Sequence, residues 1–219
     1  MAQNRLFIGT RRYSSWSLRG WLAVRLAGLQ VADEVVPLVD GPVSSVAAVS
    51  PSGLVPYLEH DGNQIWETLA ICEYCAEVTP ALWPAGRSAR AHARVISAEM
   101  HAGFGGLRRA MPMNLGRDAA GLCQTPAALQ DIVRLETLWR ATRARFGEGG
   151  PYLFGAAFGA ADAMFAPVVT RLLTYAPPLA DDTAAYCRAV RAHPLMEQWY
   201  ALAAAEPESW QLSKYEEAR

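Results

Sequence analysis

The chain has 219 residues, a length that suits one large domain or two small ones. Apolar residues make up 52% of it and charged residues 19%, a globular composition, and the net charge of −1 gives no bulk basic field to favour nucleic acid or an anionic membrane. No run of about 18 apolar residues marks a membrane-spanning helix. The first residues meet charge without an apolar signal core, so a cytoplasmic protein is expected.

Arg5–Gly9 reads as a first strand, followed by a polar loop from Thr10 to Ser15. A helix then begins at Ser17, with Leu18, Trp21, Leu22 and Leu26 on one apolar face and Arg25 at its edge. Gly28 suits its end. Val31 to Val39 reads as a second strand, broken by Gly41-Pro42, and a small irregular or helical piece runs to Val49. Pro51-Ser52-Gly53 is a turn signal. Val55-Pro56 then leads into Tyr57–His60, a turn at Asp61-Gly62, and a return strand through Gln64-Ile65-Trp66. Glu67-Thr68 opens a helix with Leu69, Ile71, Cys72 and Cys75 near helical spacing. This order predicts a thioredoxin-like α/β unit with a mixed four-stranded sheet and a right-handed parallel crossover at its start.

After Leu82-Trp83-Pro84-Ala85-Gly86 the strand signals vanish. The expected division is an α/β domain over 1–83, a linker over 84–88 and an all-α domain over 89–219. Ile96, Met100, Phe104 and Leu107 follow the spacing of a buried helix face, which Met111-Pro112-Met113 interrupts. Thr125 and Pro126 fit the N-cap and first position of another helix, with Leu129, Ile132, Leu135 and Trp139 as its buried face. A third begins near Gly159 and contains Pro167, a candidate kink. Shorter helices are expected near 181–192 and 195–205, then a polar, loosely packed tail from Ser209.

Two stretches carry chemistry. The hairpin that feeds Glu67-Thr68 ends at a helix N-terminus, where free N–H groups and the helix dipole favour a carboxylate or phosphate; local reasoning leaves the ligand open. The run Tyr13-Ser14-Ser15-Trp16-Ser17-Leu18-Arg19 places hydroxyls at the start of the first helix. They either cap it or stabilise a negative group there. Arg19 is either a nearby positive group or a helix-face ion pair. Cys72-x-x-Cys75 invites a redox reading, yet both thiols lie inside a helix, away from the start where a dipole would lower a thiol pKa, so packing is the better reading. No second such pair or histidine cluster completes a metal set, and no metal is expected. His60, His92, His101 and His193 are scattered and suggest no Ser/His/Asp triad.

Together, Val55-Pro56 before the hairpin and Glu67-Thr68 followed by Ala70-Ile71 resemble the glutathione-binding half of the glutathione transferase superfamily. The two-domain order extends the resemblance over essentially the whole chain. It implies a homodimer that binds glutathione and a small electrophile. In the serine-type members the catalytic hydroxyl lies in the first loop, and "SSWSLR" is most similar to the zeta-class run Ser-Ser-Cys followed by arginine. This implies Ser14 as the catalytic group, with Ser15 as the near alternative. Trp16 replaces the cysteine of that pattern, borders the glutathione site and argues against zeta-type isomerisation.

The resemblance further implies that Thr68 holds the α-carboxylate of glutathione, Glu67 its α-ammonium, and the Val55 backbone its cysteinyl residue, beside a cis bond to Pro56. Leu54 stands where the family often has lysine or glutamine. Gly159-Ala-Ala-Asp162 is similar to the family's capping motif, with glycine replacing the hydroxyl residue and Asp162 structural. Met111 and Met113 fall where the family places the electrophile pocket, as pocket walls or ordinary core. Arg171 either meets an acidic substrate or is solvated. The expected activity is thiolate activation by a serine hydroxyl. The alternatives are a zeta-type isomerase or dehalogenase, and a non-catalytic binding module.

Overall fold

The computed structural model describes residues 4–38 and 45–217; the expected break at Gly41-Pro42 lies outside them. Strand β1 (Arg5–Gly9) pairs in parallel with β2 (Ala32–Val36) and antiparallel with β3 (Tyr57–His60), which pairs antiparallel with β4 (Asn63–Trp66). The mixed four-stranded sheet has the order β2-β1-β3-β4. Alternation along the strands sorts their side chains onto two faces. Leu6, Ile8 and Leu58 join the main core with α1 (Ser15–Leu26) and α2 (Thr68–Val78), whereas Phe7, Val36 and Tyr57 form a smaller cluster with Val46. Helix α1 starts two residues earlier than expected, because Ser14 caps it, and β2 is shorter than expected.

The chain beyond residue 86 is helical: α3 (Arg87–Ala102), α4 (Gly105–Ala110), α5 (Pro126–Phe146), α6 (Ala160–Tyr175), α7 (Asp181–Arg191), α8 (Pro194–Ala204) and the single turn α9 (Ser213–Glu216). Helix α6 is buried on nearly every side, only Leu173 being exposed, and packs on α1, α3 and α7. It therefore joins the sheet-bearing part to the helical part, and each large aliphatic it buries there is worth about 1.5–3 kcal/mol.

Asp162 ties the start of α6 to its surroundings. Its carboxylate accepts the Gly159 N–H at 3.0 Å, the Leu153 N–H at 3.1 Å and the Tyr186 hydroxyl at 3.0 Å. Gly159 has no side chain to return the bond, so only half of a capping box is present; the N-cap cost of glycine is a few tenths of a kcal/mol.

Three expectations need correction. The buried face from Ile96 to Leu107 does not run along one helix, since Gly103 ends α3 and Phe104 turns the backbone to φ 57°, even though Ile96, Met100, Phe104 and Leu107 are all buried as the spacing requires. Leu129 is 36% exposed: the buried face of α5 runs through Ala128, Ile132, Leu135, Trp139 and Thr142, and Leu129 lies one residue, about 100°, off it. The polar tail does pack. Leu212 is buried, its N–H donates to the Tyr13 hydroxyl at 3.3 Å, and the Glu216 carboxylate accepts both the Tyr13 hydroxyl and the Asn114 amide.

Candidate functional site

The N-terminus of α1 opens onto a cleft of about 980 Å³ between the sheet-bearing part and the helices. Ser14 is the N-cap: its Oγ accepts the Ser17 N–H at 3.4 Å and its hydroxyl lies 2.7 Å from Ser17 Oγ, which also accepts the Gly9 N–H at 2.9 Å. Tertiary contacts fix this loop. Glu206, at the end of α8, accepts the N–H groups of Arg11 at 2.7 Å and Arg12 at 3.2 Å, and Leu115 donates to the Arg12 carbonyl at 3.2 Å. Ser14 and Ser15 both border the cleft. The neighbouring Tyr13 borders it too, but its hydroxyl is engaged by Glu216 and Leu212, and burial together with the Glu216 bond pushes its pKa up to about 12. Ser14 and Ser15 are the hydroxyls that the start of α1 brings to the cleft.

A recess of about 220 Å³ adjoins the cleft, lined by Ser52, Pro56, Glu67, Thr68 and His101, and shares Trp16, Leu54 and Val55 with it. The Val55-Pro56 peptide is cis. Pro56 is seated against Gly20 of α1, where a Cβ would lie 2.6 Å from the proline Cγ, so that helix position requires glycine. Thr68 is buried as the first residue of α2, whose first-turn N–H groups have no partners within the helix. Glu67 precedes it at φ 69°, a conformation that costs a non-glycine residue of order 1–3 kcal/mol and is found where the surroundings enforce it. Its carboxylate stands 3.6 Å from the His101 Nε2. The recess thus offers anion-binding N–H groups, a hydroxyl and a carboxylate within one small volume, which suits a zwitterionic amino-acid group.

Trp16 forms the wall between the two spaces. The His101 ring packs against its indole at a tilt of 56°, with centroids 5.0 Å apart, and the guanidiniums of Arg19 and Arg108 lie 4.4 Å and 5.0 Å from it. Arg19 proves to be neither a helix-face ion pair nor a cleft residue. It is 1% exposed and donates to the carbonyls of Met164 and Ser15, and burial, then Arg171 and Arg108, hold its pKa well below the usual value.

The helical side of the cleft differs from expectation. Met113 borders it, whereas Met111 is fully buried core and only its carbonyl takes part, by accepting from Arg171 Nε at 2.8 Å. Arg171 is not solvated: it is 5% exposed, its second bond goes to the Pro167 carbonyl, and it still reaches the cleft. Arg108, Arg109, Lys214 and Tyr215 also line the cleft, and sequence reasoning missed them. The doublet Arg108-Arg109 was the one available signal. Nothing local marks Lys214 and Tyr215, which arrive there through α9. Cys72 and Cys75 are fully buried, and burial pushes both thiols up, Cys75 to about 12, so they are inert packing residues.

Comparisons with known proteins agree with this architecture. The family model for the glutathione S-transferase N-terminal domain matches residues 13–78, and that for the C-terminal domain matches residues 124–204. The chain is 29% identical over 180 residues to Protein IN2-1 homolog A of Oryza sativa subsp. japonica, covering 78% of this chain and 69% of the rice protein. Among solved structures, a glutathione transferase homolog from Burkholderia gl BGR1 with bound glutathione superposes with a TM-score of 0.70 at 24% identity, covering 94% of this chain and 100% of that one. A bacterial maleyl pyruvate isomerase of the zeta class superposes with a TM-score of 0.66 at 23% identity, covering 93% and 99%.

Proposed function

Because the chain belongs to the glutathione S-transferase superfamily, we propose that it is a glutathione transferase in which Ser14 stabilises the glutathione thiolate for attack on a small electrophile. The part up to Trp83 holds glutathione, and the helices from about residue 89 supply the electrophile side. The bound glutathione of the Burkholderia homolog supports the choice of cosubstrate.

The observation that carries the reading is the Ser14 hydroxyl at the N-terminus of α1, on the wall of a cleft continuous with the Thr68 recess, while the adjacent Tyr13 hydroxyl is committed elsewhere. In this reading the α-carboxylate of glutathione sits on the first turn of α2 and the Thr68 hydroxyl, Glu67 receives its ammonium, and Val55 pairs with its cysteinyl backbone. A free thiol has a pKa of about 8.5, and lowering it by two units requires about 2.7 kcal/mol of preferential stabilisation of the thiolate. One charge-assisted hydrogen bond supplies roughly 1.5–3 kcal/mol, and the α1 dipole adds to it. Rotation of the Ser14 hydroxyl turns its proton to the sulfur, and Ser17 then donates to Ser14 Oγ across the existing 2.7 Å contact. Serine does not become a nucleophile. Ser15, in the first turn of α1, is the alternative donor.

Calorimetric titration with glutathione tests the reading. Binding is expected for the wild type, weakened roughly tenfold or more in Glu67→Ala through loss of a charge-assisted bond. No heat at millimolar glutathione would refute it.

A further inference from the structure

Among the described residues, the charged side chains that line the cleft are all of one sign. Its lining contains Arg108 and Arg109 from α4, Arg171 from α6 and Lys214 from α9, and, among the described residues, no aspartate or glutamate. Every one of these cations comes from the helical side. Among the described residues, the sheet side presents the apolar Leu38, Val46, Leu54 and Val55. Among the described residues, no ion pair involves Arg108, Arg109 or Arg171. Arg108 donates to the carbonyls of His101 and Gly103, and the buried Arg171 to those of Met111 and Pro167. Burial and repulsion from Arg108 lower Arg171 to about 10, still protonated at neutral pH. A buried guanidinium satisfied only by carbonyls keeps its full charge, and an anion beside it lowers the energy of both.

We propose that the electrophile is an anionic aromatic compound: its carboxylate or sulfonate is held by Arg108 and Arg171, and its ring lies against Trp16, Tyr215 and Met113. This rests on the transferase reading above and names the substrate class of the same cleft. Glutathione does not account for the cations, because in that reading its carboxylates lie toward the sheet side and the α2 recess.

The test uses two probes of nearly equal shape, 4-chloro-3,5-dinitrobenzoate and 4-chloro-3,5-dinitrobenzamide. With each, the glutathione sulfur bonds to the chlorine-bearing ring carbon, chloride leaves, and the thiol proton passes to solvent. We expect kcat/KM, divided by each probe's uncatalysed rate with glutathione, to be about tenfold or more higher for the acid than for the amide, the value of one charge-assisted bond. The preference should shrink several-fold at high salt, since screening acts on the charged probe alone. Arg108→Gln and Arg171→Lys should each lower the acid-to-amide ratio, a readout that partial misfolding would leave unchanged. Equal normalised rates for the two probes, or a ratio indifferent to both substitutions, would overturn the proposal and leave the transferase reading standing. A loss of glutathione affinity in Arg108→Gln that matches the loss of acid turnover would assign the cations to glutathione and also overturn it. If neither probe reacts, calorimetric binding of 4-methyl-3,5-dinitrobenzoate and its amide to the glutathione-loaded protein decides, and equal affinities refute the anion site. Failure to bind glutathione would remove both readings together.

Discussion

Replacing Ser14 by alanine removes one hydroxyl that has two jobs, and the structure lets them be weighed. The capping bond from the Ser17 N–H is long, 3.4 Å, so its loss lies at the low end of cap energies, about 0.5 kcal/mol. The hydroxyl contact with Ser17 adds roughly 1 kcal/mol, and Ser17 keeps its bond from the Gly9 N–H. A loss of about 1.5 kcal/mol leaves an ordinary domain folded. The catalytic loss is larger. A bound thiol with pKa about 6.5 is roughly three-quarters thiolate at pH 7, whereas one near 8.5 is about 3% thiolate. Ser14→Ala should therefore raise the thiol pKa by 1–2 units and slow single-turnover conjugation at pH 7 about 3- to 25-fold, with little change in glutathione affinity. Thiolate ultraviolet absorbance across pH, on the glutathione-saturated protein, reads the pKa directly. An unchanged pKa in Ser14→Ala refutes the assignment, and a shift seen only in Ser15→Ala moves the role one residue on.

Further expectations follow from the same contacts. In Gly20→Ala the new methyl must separate from the Pro56 ring, from 2.6 Å to at least 3.4 Å. We expect a cost of about 1–3 kcal/mol in denaturant unfolding and weaker glutathione binding through the displaced Val55-Pro56; wild-type affinity would show that the recess does not depend on this seat. Tyr13→Phe leaves Glu216 and the Leu212 N–H without their shared partner, so amide exchange over 212–216 should quicken by the equivalent of about 1–3 kcal/mol, and unchanged exchange would deny the tail its anchor. Asp162 gives stability a pH dependence. Burial raises its carboxyl from 3.8 to about 6 in the folded state. Below 3.8 both states hold the proton; between the two values only the folded state does, and above 6 neither does. This contribution therefore falls as pH rises from 3.8 to 6, by about 3 kcal/mol. Unfolding midpoints at the two ends of that window should differ less in Asp162→Asn than in the wild type, and equal slopes would refute the account.

Local chemistry and short-range pattern were enough to read the sheet, the hairpin and the starts of α2 and α5. Asp61-Gly62 closes β3 to β4, Gly28 ends α1 at φ 72°, and Thr125-Pro126 opens α5, because each depends on backbone geometry within a few residues. The same locality made Ser14, Val55 and Thr68 visible as a helix cap, a proline-entered strand and a helix N-terminus. Their meeting around one cleft was expected only from the resemblance. Periodicity gave the faces of the helices but not their ends: Phe104 is buried as its spacing demands, yet it marks a break that no composition signal announces.

What only the tertiary structure decided is where long-range charge and the tail come to rest. Arg171 looks solvated in sequence, but α6 is enclosed around it and only Leu173 reaches solvent, so its guanidinium turns to carbonyls and the cleft. Arg108 and Lys214 are far apart in the chain, and helix packing brings both to one wall. Tail residues that read as polar and loose are polar because their partners, Tyr13 and Asn114, lie on the other side of the chain's length. A sequence records which groups need partners; the packing of α4, α6 and α9 against the α1 N-terminus determines which partners they find.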